Sequence, residues 1–217
     1  MNNFKFIQQG SEDWHKARFG RFTASKLGCI ISEPNKSGLY KLGKGAKTYI
    51  EQCTMEQIIQ GKLIDYKSSA MIEGSENEIK AAKAYQIKNK VFAVSTGFWC
   101  FGEHSGASPD KLVGKYGGAE FKNPKLKAHT KYLTIQEPKG LKAIEKDYFY
   151  QCHMCMLATG RKWWDFVSYC PHKNLPEHLH LFQIRINRSK EIINQIIQCL
   201  KLATAYKLDL QKRWGVK

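Results

Sequence analysis

Acidic residues are scarce in this 217-residue sequence, in which 19 Asp and Glu stand against 35 Lys and Arg and leave a formal net charge of +16. A field of that sign attracts polyanions, and nucleic acid is the commonest of them. A surplus of solubilising lysines would explain positive charge but not the shortage of acids. The composition therefore favours a nucleic-acid partner over classes such as two-carboxylate glycosidases, whose chemistry needs no positive field.

Long apolar runs are also missing. No stretch of about eighteen apolar residues occurs, which argues against a membrane-spanning helix. The first nine residues contain no apolar core of the kind found in signal peptides. The seven cysteines are odd in number and scattered, which is typical of a reducing compartment rather than of a disulfide framework. We therefore expect a cytoplasmic protein.

No repeat, linker or low-complexity tract divides the chain, so residues 1–217 are interpreted as a single α/β domain. Apolar periodicity and capping residues predict helices at 11–18, from Thr23 onward, at 46–60, 68–90 and 146–160, and from Ser189 onward. β-branched and aromatic residues predict strands at 91–100, 163–170 and 178–186. Residues 33–46 and 124–131 are interpreted as basic stretches that could follow a phosphate backbone.

Residues 106–122 form the most informative part of the sequence. They are typical of a strand, a glycine-bearing turn and a second strand. Asp110 and Glu120 lie equally far from Lys115, so a hairpin that turns near Lys115 makes the two carboxylates cross-strand neighbours. Glu120 and Lys122 are two residues apart on one strand, so they project from the same face.

Two carboxylates beside an amine suit the metal-assisted hydrolysis of a phosphodiester. Hard oxygen ligands bind Mg²⁺, and a nearby amine can orient or activate a water. Solvated side chains or a surface ion pair would give the same short pattern, so the rest of the chain must decide. Glu78 supports the metal interpretation because it shares a predicted helix face with apolar Ala81, Ala82 and Tyr85, where a carboxylate is costly unless it meets a cation or a metal.

Arg18 and Ser25 fall near the end of one predicted helix and the start of the next. Such a junction offers free backbone N–H groups, a hydroxyl and a guanidinium, which together suit a phosphate. The alternative is a surface arginine and a hydroxyl that serves only to cap a helix.

Cys152 and Cys155 form a C-x-x-C pair inside the predicted helix 146–160. With Cys170 and one upstream cysteine, the pair would have the ligands for zinc or an iron–sulfur cluster. No second C-x-x-C pair and no glycine knuckle accompanies it, and free cysteines are among the most buried residues. We therefore interpret both as core residues.

Five sequence blocks stand in the order in which they occur in a known family. They are Trp14-His-Lys-Ala-Arg18 with Thr23-Ala-Ser25, Gly74-x₃-Glu78-x₂-Ala81, Gly106-Ala-Ser-Pro-Asp110, Glu120-Phe-Lys122, and Tyr148-x₂-Gln151-x-His153-x₂-Met156. This arrangement resembles the YqaJ/lambda-exonuclease family of phage recombination nucleases, within the PD-(D/E)xK, restriction-endonuclease-like superfamily. The resemblance extends from Trp14 to Pro171.

The resemblance implies a restriction-endonuclease-like α/β core, with a central mixed sheet built on the hairpin and flanked by helices. It implies that Asp110, Glu120 and the backbone carbonyl of Phe121 bind metal, and that Glu78 is a helix-borne acid near the metal, directly or through a water. Lys122 would position or deprotonate the attacking water. The metal would be one or two Mg²⁺ ions, for which Mn²⁺ can substitute.

A second group of residues matches family positions that hold a terminal 5′-phosphate or line the site: Arg18, Ser25, Ser108, Gln151 and His153. The sequence departs from the family pattern at Lys111, which replaces a glycine often found there. It also lacks a clear match to an acid upstream of the hairpin, near Cys100. Occupancy of a second metal therefore stays open.

The implied function is that of a metal-dependent 5′→3′ exonuclease that degrades one strand of linear double-stranded DNA from a 5′-phosphorylated end. It would release 5′-mononucleotides and leave 3′ single strands for annealing-type recombination. The implied partners are double-stranded DNA ends, a single-strand annealing protein and further copies of the chain in a trimeric ring, in the cytoplasm of a bacterial host whose phage or prophage encodes it. A DNA endonuclease of the same fold and a non-catalytic DNA-binding module are the alternatives.

Overall fold

The computed structural model describes residues 7–63 and 69–216, without the side chains of residues 69–76. Residues 1–6, part of the segment without a signal-peptide core, and Ser68, at the predicted start of a helix, lie outside the described residues. The helices are α1 (Glu12–Arg18), α2 (Lys44–Ile58), α3 (Ser69–Asn89), α4 (Leu126–Leu133), α5 (Pro138–Ile144), α6 (Lys146–Thr159) and α7 (Lys190–Arg213), with 3₁₀ helices at Ala24–Cys29 and Glu177–Leu179. The strands are β1 (Phe22–Thr23), β2 (Ala93–Val94), β3 (Trp99–Phe101), β4 (Ser105–Ala107), β5 (Lys111–Val113), β6 (Gly117–Lys122), β7 (Trp163–Tyr169) and β8 (Leu181–Asn187).

A five-stranded mixed sheet forms the centre of the fold, with the strand order β2-β5-β6-β7-β8. β6 and β7 pair in parallel, whereas the other neighbouring strands are antiparallel. The chain between β6 and β7 runs through α4, α5 and α6. Parallel neighbours need a crossover of this length, and the crossover brings the carboxyl ends of both strands to one edge of the sheet.

β5 and β6 form the predicted hairpin. Their register pairs Lys111 with Ala119, so the turn centres on Lys115. One residue further out, the same register sets Asp110 opposite Glu120. The expected cross-strand placement of these two carboxylates therefore follows from where the chain turns.

Close backbone packing explains why the hairpin contains Gly117 and Gly118. A Cβ atom at Gly117 would lie 2.0 Å from the ring of Trp163, and one at Gly118 would lie 2.3 Å from the ring of Trp164. Arg161 fixes the turn from outside, since its Nη1 donates to the Gly117 carbonyl at 2.7 Å and to two further carbonyls of the hairpin. The strand that carries Glu120 is thus held closely against β7.

Helices cover both faces of the central sheet. On one face, Trp164 and Phe166 are fully buried in the larger core, where Phe166 stacks on Tyr148 of α6. On the other face, a smaller core joins α3 to the sheet through Ala81, Ala82, Tyr85, Val113, Ala119, Phe121 and Val167. The burial of Ala81, Ala82 and Tyr85 agrees with the apolar helix face predicted around Glu78.

Cys152 and Cys155 lie in the larger core, where both are fully buried free thiols. Burial raises the pKa of each thiol well above its usual range. Both cysteines therefore pack as apolar side chains, as interpreted from the sequence.

A separate three-stranded sheet, ordered β1-β4-β3, corrects the strand prediction at 91–100. That segment divides between β2 of the large sheet and β3 of the small one, with Gly97 between them. A Cβ atom at Gly97 would lie 2.5 Å from the backbone nitrogen of Ile7, so the backbone of Ile7 packs directly against Gly97 and leaves no room for a side chain there. The first strand expected within 106–122 divides in the same way, into β4 and β5 on either side of Ser108-Pro109-Asp110.

Two helical assignments also differ from the sequence prediction. The helix predicted from Thr23 is a 3₁₀ helix, and the Thr23 side chain forms no capping hydrogen bond. The basic stretch after Pro124 is helical in α4, because buried His129 and Tyr132 give it an inner face that its lysines obscure. Along the described residues, no helix has both the length and the apolar character needed to cross a membrane.

Candidate active site

The open end of the β5–β6 hairpin brings the two predicted carboxylates and the predicted amine together. Asp110 Oδ2 accepts a hydrogen bond of 2.7 Å from the backbone N–H of Phe121. Lys122 Nζ donates to Glu120 Oε1 at 2.7 Å, and Gln151 Nε2 of α6 donates to the same oxygen at 2.5 Å. Glu120 is only 1% exposed, so these two donors hold a carboxylate that water barely reaches.

Glu78 approaches this pair from α3. Its carboxylate lies 3.9 Å from the ammonium of Lys111, the residue that follows Asp110. The Lys111 ammonium also donates to Ser95 Oγ at 2.8 Å. The Glu78 side chain is 29% exposed, so it borders the solvent-facing side of the cluster.

The three carboxylates influence one another electrostatically. Burial, and next the charge of Asp110, raises the pKa of Glu78 to about 7. The same two causes, with a smaller contribution from Glu78, raise the pKa of Glu120 to about 8. Burial also raises the pKa of Asp110, against the opposing charge of Lys122. Burial of all three acids, together with the effect of Asp110 on both glutamates, disfavours their negative charge, so a bound cation would stabilise the cluster.

Lys122 is the cation already present in this cluster. Burial favours a lower pKa for its ammonium, but the charges of Glu120 and Asp110 outweigh burial and raise the pKa above its usual range. The Nζ also lies 4.7 Å from the centre of the Tyr148 ring. Lys122 is therefore a hydrogen-bond donor here and not a free base.

The carboxylate oxygens of this cluster suit a hard divalent cation, although the side chains are not already arranged in a coordination site. Among the described residues, no group of three or more His, Cys, Asp and Glu side chains is arranged to hold a metal ion. One oxygen is nevertheless left over, because Glu120 Oε2 is buried and has no hydrogen-bond partner there. A buried carboxylate oxygen without a donor is costly, and carboxylate oxygens are the ligands that Mg²⁺ prefers. The chemistry of Asp110, Glu120 and Glu78 therefore fits such an ion.

Arg18 and Ser108 meet two residues before Asp110. Arg18 Nη1 donates to Ser108 Oγ at 3.0 Å, and Trp14 Nε1 donates to the same hydroxyl at 2.8 Å. The guanidinium lies 4.1 Å from the centre of the Trp14 ring, which fixes its plane. Burial lowers the pKa of Arg18 to about 10, so it remains charged near neutral pH.

A cleft of about 960 Å³ opens beside this pair, between α1, α2 and the 3₁₀ helix Ala24–Cys29. Among the described residues that line it, one is an acid, Glu56, and five are cationic: Arg18, Arg21, Lys26, Lys44 and Lys62. Such a lining attracts an anion. Arg18 lines the cleft and also donates to Ser108, two residues before Asp110, so a hydrogen bond links the cleft to the segment that carries this carboxylate.

The remaining predicted phosphate-binding residues are distributed unevenly. Ser25 Oγ lies 3.4 Å from the Thr23 hydroxyl, close to the cleft. Gln151 belongs to the carboxylate cluster, through its bond to Glu120. His153 is buried in the core, where its Nδ1 lies 3.0 Å from the Phe149 carbonyl and where burial lowers its pKa to about 4. The structure does not bring His153 to the carboxylates, since it is two residues from Gln151 and projects from another side of α6.

Sequence reasoning missed a buried polar network that attaches α3 to the sheet. Tyr85 donates its hydroxyl proton to Asp165 Oδ2 at 2.6 Å, and Arg185 binds both oxygens of Asp165 at 2.9 Å. Asp165 is 1% exposed. Tyr85 lies two helical turns after Glu78, so this network fixes the helix that carries the third carboxylate. The sequence offered one signal for this network: Asp165 is the only acid in β7, among aromatic and β-branched residues that are typical of a buried strand.

Trp14 and Lys111 were missed as well. Trp14 lies four residues before Arg18, on the same helix face, and that spacing could have suggested their contact. Lys111 was noted only for its departure from the family pattern. Its contacts with Glu78 and Ser95 give this lysine a local partner that a glycine would lack.

Comparison with known proteins identifies relatives. The YqaJ-like viral recombinase domain matches residues 13–162, which is more than half of the chain. No curated protein matches the sequence.

Solved structures show the same fold. An alkaline exonuclease, LHK-Exo from Laribacter hongkongensis, is 26% identical, with a TM-score of 0.75 over 94% of this chain and 98% of that one. The same enzyme in complex with dAMP gives the same values. A phage-related exonuclease from Haemophilus somnus 129PT is 17% identical, with a TM-score of 0.74 over 89% of this chain and 96% of that one, a likeness that concerns the fold alone. The restriction-endonuclease-like fold expected from the sequence is confirmed.

Proposed function

The chain belongs to the YqaJ-like viral recombinase family, and from that premise we propose that it is a metal-dependent exonuclease of double-stranded DNA. It would degrade one strand 5′→3′ from a 5′-phosphorylated end, release 5′-mononucleotides and leave a 3′ single strand. The observation that carries the proposal is the convergence of Glu78, from α3, with Asp110, Glu120 and Lys122 of the β5–β6 hairpin.

Asp110, Glu120 and the backbone carbonyl of Phe121 would hold the metal, and Glu78 would bind it directly or through a water. A bound Mg²⁺ ion, or Mn²⁺ in its place, supplies a Lewis acid that stabilises negative charge on the scissile phosphate. The left-over oxygen of Glu120 and the raised pKa values of Glu78 and Glu120 support a cation at this position.

Lys122 would orient the attacking water and stabilise charge that develops on the phosphate. Since its pKa is raised, the ammonium keeps its protons and acts as a donor, not as the base. Tyr148 and Glu120 limit the positions that its Nζ can take. This assignment favours the positioning role of Lys122 over the deprotonating role.

The Arg18 cleft would receive the terminal 5′-phosphate. Arg18 and Ser108 offer a charge-assisted contact near Asp110, and Ser25 lies at the cleft's edge. A phosphate held there would place the next phosphodiester at the carboxylates, so that one nucleotide is removed at each cut. The dAMP bound by the Laribacter enzyme is a nucleoside monophosphate, the class of product proposed here. Gln151 would act through Glu120, and His153 would support the packing of α6.

The biological setting belongs to the same proposal. A nuclease that leaves 3′ single strands suits a single-strand annealing protein as its partner in recombination. A ring of three copies would keep the enzyme on one DNA molecule. The family's viral origin suits a phage or prophage gene expressed in the bacterial cytoplasm.

Three DNA substrates test the proposal: a linear duplex with 5′-phosphates, the same duplex after dephosphorylation, and a closed circle. Each is incubated with Mg²⁺ or with EDTA, and acid-soluble nucleotides are measured. We expect release from the phosphorylated duplex first, slower release after dephosphorylation and none from the circle or in EDTA. Cutting of the circle would indicate the endonuclease alternative. Binding without any release would indicate the DNA-binding module.

A further inference from the structure

A second groove lies on the other side of the carboxylate cluster from the Arg18 cleft. It encloses about 630 Å³ where the ends of β6 and β7 meet α3 and the start of α4. Its lining consists of Asn77, Lys80, Asn123, Pro124, Lys125, Leu126, Tyr169, Cys170, Pro171 and His172. It begins one residue past Lys122 and includes the residue before Glu78, so the elements that hold the site also build this groove.

The order of the strands separates the two openings. β6 lies between β5, which Asp110 precedes, and β7, which ends at Tyr169. Arg18, which lines the first cleft, donates to Ser108, and Ser108 precedes Asp110 on the β5 side of Glu120. The second groove contains Asn123 and Tyr169, on the β7 side. A strand that entered one opening would therefore pass the carboxylates before it reached the other.

The lining of the second groove suits a phosphodiester backbone. Among the described side chains that line it, Lys80, Lys125 and His172 are basic and none is acidic. Among the described residues, Asn123 Oδ1 is buried without a hydrogen-bond partner; as an acceptor it suits a base amino group and not a phosphate oxygen. Tyr169 adds an aromatic ring, on which bases can stack. Leu126 opens α4, and the N-terminal ends of helices favour phosphate oxygens.

We propose that this groove binds the backbone of the DNA strand on the 3′ side of the scissile phosphate. The terminal 5′-nucleotide occupies the Arg18 cleft, the phosphodiester to be cut lies at the carboxylates, and the continuing strand runs over Asn123 toward Lys80 and Lys125. This inference rests on the proposed exonuclease function and adds the path and direction of the strand to it. The two lysines contribute affinity for long DNA but nothing to the recognition of the end.

The test compares the double variant Lys80→Gln/Lys125→Gln with a matched control, Lys127→Gln/Lys131→Gln. Both remove two charges from exposed lysines, and the control pair lies on α4 outside the groove. Binding to a 5′-phosphorylated duplex is measured by fluorescence anisotropy in EDTA over a range of salt concentrations. Each lost phosphate contact lowers the slope of log K against log[salt] by about 0.9 for a duplex or about 0.7 for a single strand.

We expect the groove variant to lose up to about 1.8 from the slope and the control to keep it. Inhibition by free dAMP, which would fill only the Arg18 cleft, should stay the same in both variants. An unchanged slope in the groove variant, or an equal loss in the control, overturns the proposed strand path while wild-type cleavage still supports the exonuclease. If the wild type releases no nucleotides with Mg²⁺, the exonuclease proposal falls, and the strand path falls with it.

Discussion

Replacing Glu120 by Gln should stabilise the metal-free protein at alkaline pH while it abolishes nuclease activity. The pKa of Glu120 is raised from 4.5 to about 8, so the folded state holds a proton that the unfolded chain has already lost near neutral pH. Stability from this group is therefore present at low pH and declines as pH rises through 8. Glutamine keeps an oxygen that can accept from Lys122 and Gln151 but carries no charge.

The size of the effect follows from the same shift. Between pH 6.5 and 9, deprotonation of a group with a folded pKa near 8 removes about 2 kcal/mol of stability, at about 1.4 kcal/mol per pKa unit. For a chain of this size, that corresponds to a fall in Tm of about 4–8 °C. His153 acts in the opposite sense and mainly below this window, because burial lowers the pKa of its imidazole from 6.5 in the unfolded chain to about 4. The Glu78 carboxyl, with its pKa near 7, adds a smaller decline of the same sign.

Thermal unfolding in EDTA at pH 6.5, 7.5, 8.5 and 9 tests this reasoning. The wild type should lose stability across the window, and Glu120→Gln should lose clearly less. Glu137→Gln, at an exposed carboxylate, is the matched control and should follow the wild type. Mg²⁺ should restore stability at high pH in the wild type but not in Glu120→Gln. If the Tm values of the wild type and Glu120→Gln fell equally as the pH rose, the claim that ionisation of Glu120 destabilises the folded protein would be refuted.

Three further substitutions probe the other parts of the site. Arg18→Ala should lower the preference for 5′-phosphorylated ends by roughly 10- to 100-fold, because a charged hydrogen bond contributes about 1.5–3 kcal/mol. The preference is measured as the ratio of kcat/KM for phosphorylated and dephosphorylated duplexes, and Lys16→Ala on the same helix should keep it. An unchanged ratio for Arg18→Ala would place the phosphate elsewhere. Lys122→Met should lower kcat by about 10²–10³-fold with a small change in KM, as expected for a donor that acts on developing charge, and a change confined to KM would contradict that role. Tyr85→Phe should lower the free energy of unfolding by about 1–3 kcal/mol, because it leaves a buried oxygen of Asp165 with one donor fewer. Urea denaturation measures this change. A free energy of unfolding within about 0.5 kcal/mol of the wild-type value would show that the network does not hold α3.

The sequence predicted the centre of the site because local geometry decides it. The hairpin register depends on where the chain turns, so the symmetric spacing of Asp110 and Glu120 about Lys115 was sufficient. Glu78 could be selected because Ala81, Ala82 and Tyr85 define a buried helix face around it. The turn of the hairpin and the buried face of α3 both depend on the spacing of residues within one or two neighbouring elements, and the sequence shows that spacing directly.

The rest depended on contacts between distant segments. Residues 91–100 divide between two sheets on either side of Gly97, where the backbone of Ile7 comes close, and no local pattern in the sequence predicts that contact. α4 was missed because three exposed lysines, Lys125, Lys127 and Lys131, mask the inner face that His129 and Tyr132 form. The separation of Gln151 from His153 depends on which side of α6 meets β6, and the nearly complete burial of that helix removes the polar contrast that would show it.

Asp110→Asn tests the central claim most directly, because it preserves the size of a side chain that accepts from the Phe121 N–H and removes only its charge. Nucleotide release from a linear 5′-phosphorylated duplex in Mg²⁺ should fall below detection, while the affinity for that duplex in EDTA stays within about twofold of the wild type. Nucleotide release at the wild-type rate by Asp110→Asn would contradict a metal-binding carboxylate cluster as the catalytic centre.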